Sequence, residues 1–158
     1  MENNGENQEM IVQYNYEILD FGGLNKNTQT KTQVFTNITD EKKLFNLENN
    51  VDYMLNDCEG ESIRVVDVLI KRFEKPMKEP VINDETGEII KDKEITMSCC
   101  LVDDNNKSYA TGSKTFIIQL MRYLGIRARA EKEEPFEIKI IKKKVGEKGN
   151  KALSFELI

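Results

Sequence analysis

The chain has 158 residues, the length of one ordinary domain, which is enough to bury an apolar core without disulfide or metal staples. It contains no His and only three Cys, which excludes the ligand spacings of zinc sites, the Cys–His dyad and the Ser–His–Asp triad. Its net charge of −5 is unevenly distributed, since residues 1–60 carry 11 acids against 4 lysines and residues 106–158 carry 12 bases against 6 acids. Such asymmetry indicates a polyanionic partner, although lysines on exposed strands also protect sheet edges.

The first 33 residues are predicted to form a flexible arm outside the compact domain. Residues 1–9 are polar and lack a hydrophobic period, which is typical of a mobile terminus. Residues 10–21 have the composition of a strand, whereas residues 22–33 have nothing to bury and are predicted to be a linker. The compact domain is therefore expected to span residues 34–158.

A short helix is predicted at the start of the domain. Thr39 is a candidate N-cap, because its side chain can accept a hydrogen bond from the first turn. The apolar positions that follow are Leu44, Phe45 and Leu47. A turn is expected at residues 56–60.

The first strand of the domain is predicted over residues 62–76, a run rich in β-branched side chains. Both of its faces are partly apolar, which suits a long, curled strand of a barrel. Pro76 and Pro80 are predicted to end this strand, and a hairpin arm or flexible loop is expected to turn at residues 83–87. One face of the strand carries Val66, Val68 and Ile70, and the other carries Val65, Leu69 and Phe73.

Two further strands are predicted at residues 94–102 and 107–111. The Asp and Asn side chains of residues 103–106 between them can imitate turn hydrogen bonds and tolerate left-handed backbone. Cys99 and Cys100 are neighbours on a strand, so their side chains point to opposite faces and cannot readily bond each other. All three cysteines are expected to be reduced thiols.

An amphipathic helix of about three turns is predicted directly after the third strand. Ser113 is its candidate N-cap and Gly125 its candidate left-handed C-cap. Arg127 and Arg129 are expected on the connector that follows, where they either follow a phosphate backbone or solvate a loop. The apolar positions of the helix are Phe116, Ile117, Leu120, Met121 and Leu124.

Residues 135–144 and 151–158 complete the domain as a pair of strands around a turn. The order is thus three strands, one helix and two strands, without the alternation of strand and helix that a parallel sheet requires. This order predicts a mainly β fold, a five-stranded OB-fold-like antiparallel barrel. One helix, between strands 3 and 4, is expected to close one end of the barrel. The N-terminal arm and the short N-terminal helix precede the barrel in the chain. A small α+β sandwich has the same elements and is the alternative.

An OB-fold usually binds oligonucleotides on the face of its first strands and on the loops between strands 1 and 2 and between strands 4 and 5. Binding a flexible strand without sequence preference needs cations for phosphates and flat side chains for bases. Tyr109 is a candidate stacking platform; the alternative is that Tyr109, like Phe73, packs in the barrel wall or at its rim. The predicted DNA-binding residues are Lys71, Arg72, Phe73, Lys107, Tyr109, Lys139, Lys143, Lys148 and Lys151.

Enzymatic activity, a cofactor and a metal site are not predicted. The adjacent acids Asp103–Asp104 and Glu133–Glu134 lie in loops, and adjacency in sequence does not bring two carboxylates together as acid and base or as a metal cage. The chain has no phosphate-binding glycine motif. It also has no signal-peptide pattern and no apolar run near 20 residues, so it is expected in the cytoplasm without a membrane partner.

Four stretches of the chain resemble a known family. They are FTNITDEKKLFNLENNVDYMLNDCEGESIRVVDVLIKRFE, the ETGE excursion, DDNNKSYATGS before the apolar helix, and EEPFEIKIIKKK. The family comprises single-stranded DNA-binding proteins encoded by phages and conjugative plasmids of low-GC Gram-positive bacteria, and the resemblance covers roughly residues 34–158. It implies an OB-fold that coats single-stranded DNA in the host cell, without regard to sequence, during replication or transfer. Residues 1–33 have no counterpart, and they offer an arm for self-association with a neighbouring subunit.

Sequence-independent binding of single-stranded DNA is therefore the predicted function, with RNA as an alternative ligand because no residue identifies a contact to a 2′-hydroxyl. The alternative function is a protein-interaction module of a phage or plasmid replication or structural assembly, which binds no nucleic acid. An exposed patch that is basic with aromatics favours the first function, and one that is apolar and near neutral favours the second.

Overall fold

The computed structural model describes residues 12–18, 30–146 and 148–158 of the chain. Within these ranges, eight strands form one sheet and two α-helices accompany it, so the protein is mainly β as predicted. The predicted mobile terminus and most of the predicted linker lie outside the described residues. The elements in chain order are β1 (Val12–Ile18), β2 (Thr30–Thr36), α1 (Glu41–Asn49), β3 (Tyr53–Met54), a 3-10 turn (Leu55–Asp57), β4 (Ser62–Ile82), β5 (Ile89–Asp103), β6 (Ser108–Thr111), α2 (Lys114–Arg129), β7 (Phe136–Val145) and β8 (Asn150–Leu157).

The sheet is organised around β4. One edge of β4 pairs with β5 along most of its length, and the other edge pairs first with β7, over residues 62–65, and then with β2, over residues 69–74. These pairings are all antiparallel, as are those of β5 with β6 and of β7 with β8. The short β3 pairs in parallel with β6. Because β4 changes partner along one edge, the sheet curls into a half-barrel.

The N-terminal strands extend the sheet beyond the predicted domain boundary. β1 lies within the predicted strand of residues 10–21 and pairs antiparallel with β2. β2 begins at Thr30, inside the segment predicted to be a linker, and pairs with β4 from Lys31 onward. Because β2 pairs with a strand on each edge, its backbone amides and carbonyls have hydrogen-bond partners. Its polar side chains Thr32 and Thr36 are buried.

A β-bulge bends β4 at the point where it changes partner. The register against β5 shifts between Val65 and Asp67, so Val66 is the extra residue of the bulge. The side chain of Asn37, directly after β2, fills the gap between β2 and β7. Its Nδ2 donates to the Val66 carbonyl at 3.0 Å, and its Oδ1 accepts from the Val68 amide at 2.9 Å. One amide side chain thus replaces a missing strand partner.

Replacing Asn37 with alanine is expected to lower the free energy of unfolding by about 1 to 3 kcal/mol, because two backbone groups of the bulge lose their partner. Urea denaturation of the full chain measures this loss. Asn56→Ala is the matched control: Asn56 is exposed, and its loss should change the free energy by no more than about 0.5 kcal/mol. Equal losses in the two variants would mean that the Asn37 contacts add nothing to stability.

The bulge also overturns the predicted faces of β4. Val65 belongs to the same buried cluster as Val68 and Ile70, although the period of two had placed it opposite them. The extra residue Val66 resets the alternation, as a bulge does. Leu69 faces the other side of the sheet, as predicted.

The predicted end of the first domain strand is also wrong, because β4 continues past Pro76 to Ile82. The register is irregular between Pro76 and Val81, where proline has no amide hydrogen to donate. Of the two alternatives for this segment, a hairpin arm or a flexible loop, the structure has the hairpin arm. Its turn is built by Asn83, whose Oδ1 accepts hydrogen bonds from two following amides, and by Gly87 with a φ of 73°.

Two apolar clusters lie on opposite faces of the sheet. The main core fills the concave side, where α2 packs against β5 and β8. The second cluster lies on the outer face beneath α1. Cys99 faces the main core and Cys100 the second cluster, as the strand period predicts, and all three cysteines are free thiols. The residues of the second cluster are Val34, Ile38, Leu47, Leu69 and Val102, with Leu44 and Cys100 packed against them.

Packing of α2, rather than strand pairing, bridges the gap between β6 and β8. Within the part of the chain that the structure describes, no ladder joins these two strands. Instead, Gln119 of α2 donates from Nε2 to the Phe155 carbonyl at 2.8 Å and accepts at Oε1 from the Ser154 hydroxyl at 2.7 Å. The helix between the third and fourth domain strands is confirmed. The closed five-stranded barrel is not: the sheet is an open half-barrel.

Side chains cap both helices at their N-termini. Ser113 Oγ accepts a hydrogen bond from the first turn of α2 at 3.3 Å, as predicted. At α1 the cap is Asp40 rather than the predicted Thr39. Asp40 Oδ1 accepts from the amides of Lys42 at 2.9 Å and Lys43 at 3.3 Å. A carboxylate at this position also interacts favourably with the helix dipole.

The helix α2 continues past Gly125, so the predicted C-cap is wrong. It ends at Arg129, and Arg127 lies in its last turn rather than on a connector. Arg127 is buried, with its guanidinium carbon 4.8 Å from the ring centroid of Phe136 and 5.7 Å from that of Tyr123. These cation–π contacts and the helix dipole stabilise the last turn, which offsets the cost of about 1 kcal/mol for a glycine inside a helix.

Candidate nucleic-acid interface

The nine residues predicted to contact DNA lie in three separate regions. Ser62 of β4 pairs with Lys139 of β7, and Lys71 lies nine residues farther along β4. This separation corresponds to about 30 Å along the strand, so the predicted residues do not form one continuous patch. The regions are the middle of β4 (Lys71, Arg72, Phe73), the start of β6 (Lys107, Tyr109) and the β7–β8 hairpin (Lys139, Lys143, Lys148, Lys151).

The cations in the middle of β4 are paired with carboxylates. Lys71 lies on the outer face, where it forms an ion pair with Glu48 of α1, and its ammonium lies 5.5 Å from the ring centroid of Phe73. Arg72 points to the opposite face, and its Nη1 lies 3.1 Å from Glu74 Oε2. Both charges are therefore compensated within the protein, and a phosphate would have to displace a carboxylate to reach either of them.

Tyr109 is buried, whereas the small and polar neighbours in its sequence suggested an exposed ring. It is only 9% exposed, because Tyr53 of β3 stacks on it with the ring centroids 5.3 Å apart. Its hydroxyl donates to Asp103 Oδ2 at 3.0 Å. Burial and the hydrogen bond to Asp103 raise the pKa of the Tyr109 hydroxyl well above its usual range. Tyr109 is thus a wall residue, as the alternative interpretation had it.

Tyr53, which sequence reasoning missed, presents the accessible ring of this stacked pair. It is 48% exposed and lines a cavity of about 800 Å³ together with Tyr109. Four carboxylates and a single lysine lie around the same cavity, so its electrostatic character disfavours phosphate. These charged residues are Asp52, Asp57, Glu61, Asp103 and Lys107.

The position of Tyr53 depends on a reciprocal contact between Asp52 and Ser108. The Ser108 amide donates to Asp52 Oδ2 at 2.9 Å, and the Asp52 amide donates to Ser108 Oγ at 2.9 Å. The hydrogen bonds from Ser108 lower the pKa of the Asp52 carboxyl. They fix the two-residue β3 beside β6. A strand of two residues has no hydrophobic period, so no sequence pattern could have revealed it.

The β7–β8 hairpin carries a dense group of lysines. Along β7, Phe136, Ile138 and Ile140 face the core, whereas Lys139 and Lys143 lie on the exposed side, as the alternation predicts. β4 pairs with β7 only as far as Lys139, so the rest of the hairpin extends beyond that partner. Residues 136–157 contain six lysines against three acids. The lysines are Lys139, Lys142, Lys143, Lys144, Lys148 and Lys151.

These six lysines differ from the cations of β4 in their pairing. No described carboxylate lies within ion-pair distance of any of them, whereas Lys71 and Arg72 are both paired. An ammonium group that holds no carboxylate can contact a phosphate without first breaking an ion pair. The β7–β8 hairpin is therefore the part of the described surface best suited to a polyanion.

The structure defines a mainly β, barrel-like protein whose half-barrel is bridged by a helix. Comparison of the chain with protein-family models, with curated protein sequences and with solved structures found no match. Neither helix of the described ranges has the length and apolar character needed to cross a lipid bilayer. The assignment of function therefore rests on the geometry and charge of this chain.

Proposed function

We propose that this protein binds single-stranded nucleic acid without sequence preference, with single-stranded DNA of a phage or plasmid as its ligand during replication or transfer. The β7–β8 hairpin is the principal contact. The observation that carries this proposal is the set of six lysines on that hairpin that are not paired with any described carboxylate. Their charge attracts a phosphate backbone and releases its condensed counterions.

The strand order supports the same function. β4, β5, β6, α2, β7 and β8 follow one another as the strands and helix of an OB-fold do, and β7 returns to pair with β4. The OB-fold is a partly open barrel, and it binds oligonucleotides at the loops between strands 1 and 2 and between strands 4 and 5. The second of these loops corresponds to the β7–β8 turn, where the lysines are concentrated. The resemblance to phage and plasmid single-strand binders agrees with this assignment.

A salt titration with a fluorescently labelled oligo-dT tests the proposal. The full chain should bind at low ionic strength, and the logarithm of the association constant should fall linearly with the logarithm of the salt concentration. Four to six phosphate contacts give a slope of roughly −3 to −4 for a single strand. Oligo-U serves as the second ligand, because a contact with the backbone alone is shared by DNA and RNA. Absence of oligo-dT binding at low ionic strength would contradict the proposal.

A protein-interaction module is the second candidate function, and the β4–β5 arm favours it. β2 pairs with β4 only as far as Glu74, so residues 75–94 continue as a two-stranded ribbon. An exposed apolar tip of this kind is typical of a protein contact. A pull-down that survives nuclease treatment and is lost in an Ile89→Ser/Ile90→Ser variant would support this function. The exposed apolar residues of the tip are Val81, Ile82, Ile89 and Ile90.

A further inference from the structure

The helix α1 covers part of the face on which an OB-fold binds its ligand. Leu69, Lys71 and Phe73 alternate along β4 on the outer side of the sheet, away from the main core. Leu47 of α1 packs on Leu69 there. The outer face of the first two barrel strands is thus occupied by a segment of the same chain, which is not a part of the OB-fold itself.

Two ion pairs fasten α1 to this face. Glu48, in the last turn of α1, pairs with Lys71, and Lys43, near the start, pairs with Asp67. The carboxylate of Glu48 holds the position over Lys71 that the phosphate of a bound strand would take. Phe73 lies beside Lys71, so that a cation and a partly exposed flat ring adjoin each other beneath the end of the helix.

Few side chains of α1 are buried against the sheet, whereas the residues on either side of the helix are hydrogen-bonded to strands. The helix has nine residues, fewer than the 12 to 15 or so that an isolated helix needs for marginal stability. Leu47 is its single buried residue, and Phe45 is 65% exposed. Before the helix, Asn37 is bonded to the β4 bulge, and after it Asp52 is bonded to β6. The helix can therefore leave the sheet while both flanking anchors remain in place.

We propose that α1 is a displaceable strap that competes with single-stranded nucleic acid for the outer face of β4. A strand held by the β7–β8 lysines extends to Lys71, its phosphate replaces the Glu48 carboxylate, and α1 lifts away. The distance of about 30 Å along β4 falls within the length covered by the roughly 4 to 16 nucleotides that one OB-fold binds. This inference rests on the proposed function and adds a regulation of the same binding surface.

The substitution Glu48→Gln, compared with Glu41→Gln, tests the competition. Both variants remove one negative charge from α1, but Glu41 has no cation within ion-pair distance in the described ranges, whereas Glu48 holds Lys71. Glu48→Gln should raise the affinity for oligo-dT about two- to fivefold, the effect of losing one partly exposed ion pair. Glu41→Gln should change the affinity less than about twofold. Equal effects of the two substitutions, or no gain in affinity with Glu48→Gln, would show that α1 does not compete with the nucleic acid.

Hydrogen exchange of the wild-type protein supplies a second readout. On binding of oligo-dT the amides of α1 should exchange faster than in the free protein, while those of α2 should keep their rates. Unchanged or slower exchange in α1 would contradict its displacement. If the wild-type protein binds oligo-dT but neither the Glu48→Gln affinity nor the hydrogen exchange of α1 changes as expected, the proposed function is supported and the displacement of α1 is wrong. If oligo-dT does not bind at all, both the proposed function and the displacement of α1 are wrong.

Discussion

Replacing Lys143 and Lys148 with alanine should weaken the binding of oligo-dT by one to two orders of magnitude at a salt concentration of about 50 mM. Each lysine that neutralises a phosphate of a single strand contributes about 0.7 to the slope of log K against log salt, so the double variant should reduce the slope by about 1.4. Fluorescence anisotropy over a range of salt concentrations measures both quantities. The effect should be independent of base sequence, because the contacts are to the backbone.

The matched control for the lysine variant removes two positive charges elsewhere. Lys114 and Arg122 are exposed on α2, away from the hairpin in sequence, and neither has a described ion-pair partner. Lys114→Ala/Arg122→Ala should keep most of the affinity and most of the salt slope. If this control loses as much affinity as the hairpin variant, the net charge of the protein, rather than the β7–β8 hairpin, determines binding.

Replacing Phe116 with alanine should lower the free energy of unfolding by about 3 to 5 kcal/mol. Phe116 is completely buried, and its ring lies edge-on to Phe155 of β8 with the centroids 5.2 Å apart. Truncation leaves a cavity at the place where α2 bridges the open side of the half-barrel. Urea denaturation of the full chain, followed by far-ultraviolet circular dichroism, measures the loss.

The matched control for Phe116 is Ile118→Ala on the exposed side of the same helix. Ile118 is 42% exposed, so its truncation should cost much less than that of Phe116, on the order of 0.5 kcal/mol. A small loss with Phe116→Ala would mean that the sheet remains intact without the packing of α2 against β8. The bridging role assigned to the helix would then be wrong.

Most elements of residues 34–158, though not the two-residue β3, could be predicted because their signals are local. The turn between β5 and β6 is an example: Asp103 Oδ1 accepts hydrogen bonds from the amides of Asn105 and Lys107, both at 2.9 Å, and Asn106 is left-handed with a φ of 63°. These residue types favour that geometry wherever they occur in sequence. Ser113 as an N-cap and the alternating faces of β7 depend equally on near neighbours.

What the sequence did not reveal depends on partners that are distant in the chain. Tyr109 has an exposed sequence context, yet it belongs to the main core and Tyr53, 56 residues earlier, stacks on its ring. Glu48 and Lys71 are separated by 23 residues, so the neutralisation of Lys71 could not be read from β4 alone. A period of two also assumes an unbroken strand, and the bulge at Val66 breaks that assumption. Sequence patterns therefore located the cations without showing which of them are available to a ligand.

The contact of Gln119 with β8 has a consequence for assembly. A strand that offers free amide and carbonyl groups along one side is open to strand exchange and to domain-swapped oligomers. Gln119 holds both the amide and the carbonyl of Phe155, and the rest of α2 shields that side of β8. An incoming strand would have to dislodge the helix before it could add to the sheet there. Growth of a protein filament by continuous sheet extension is therefore blocked at β8.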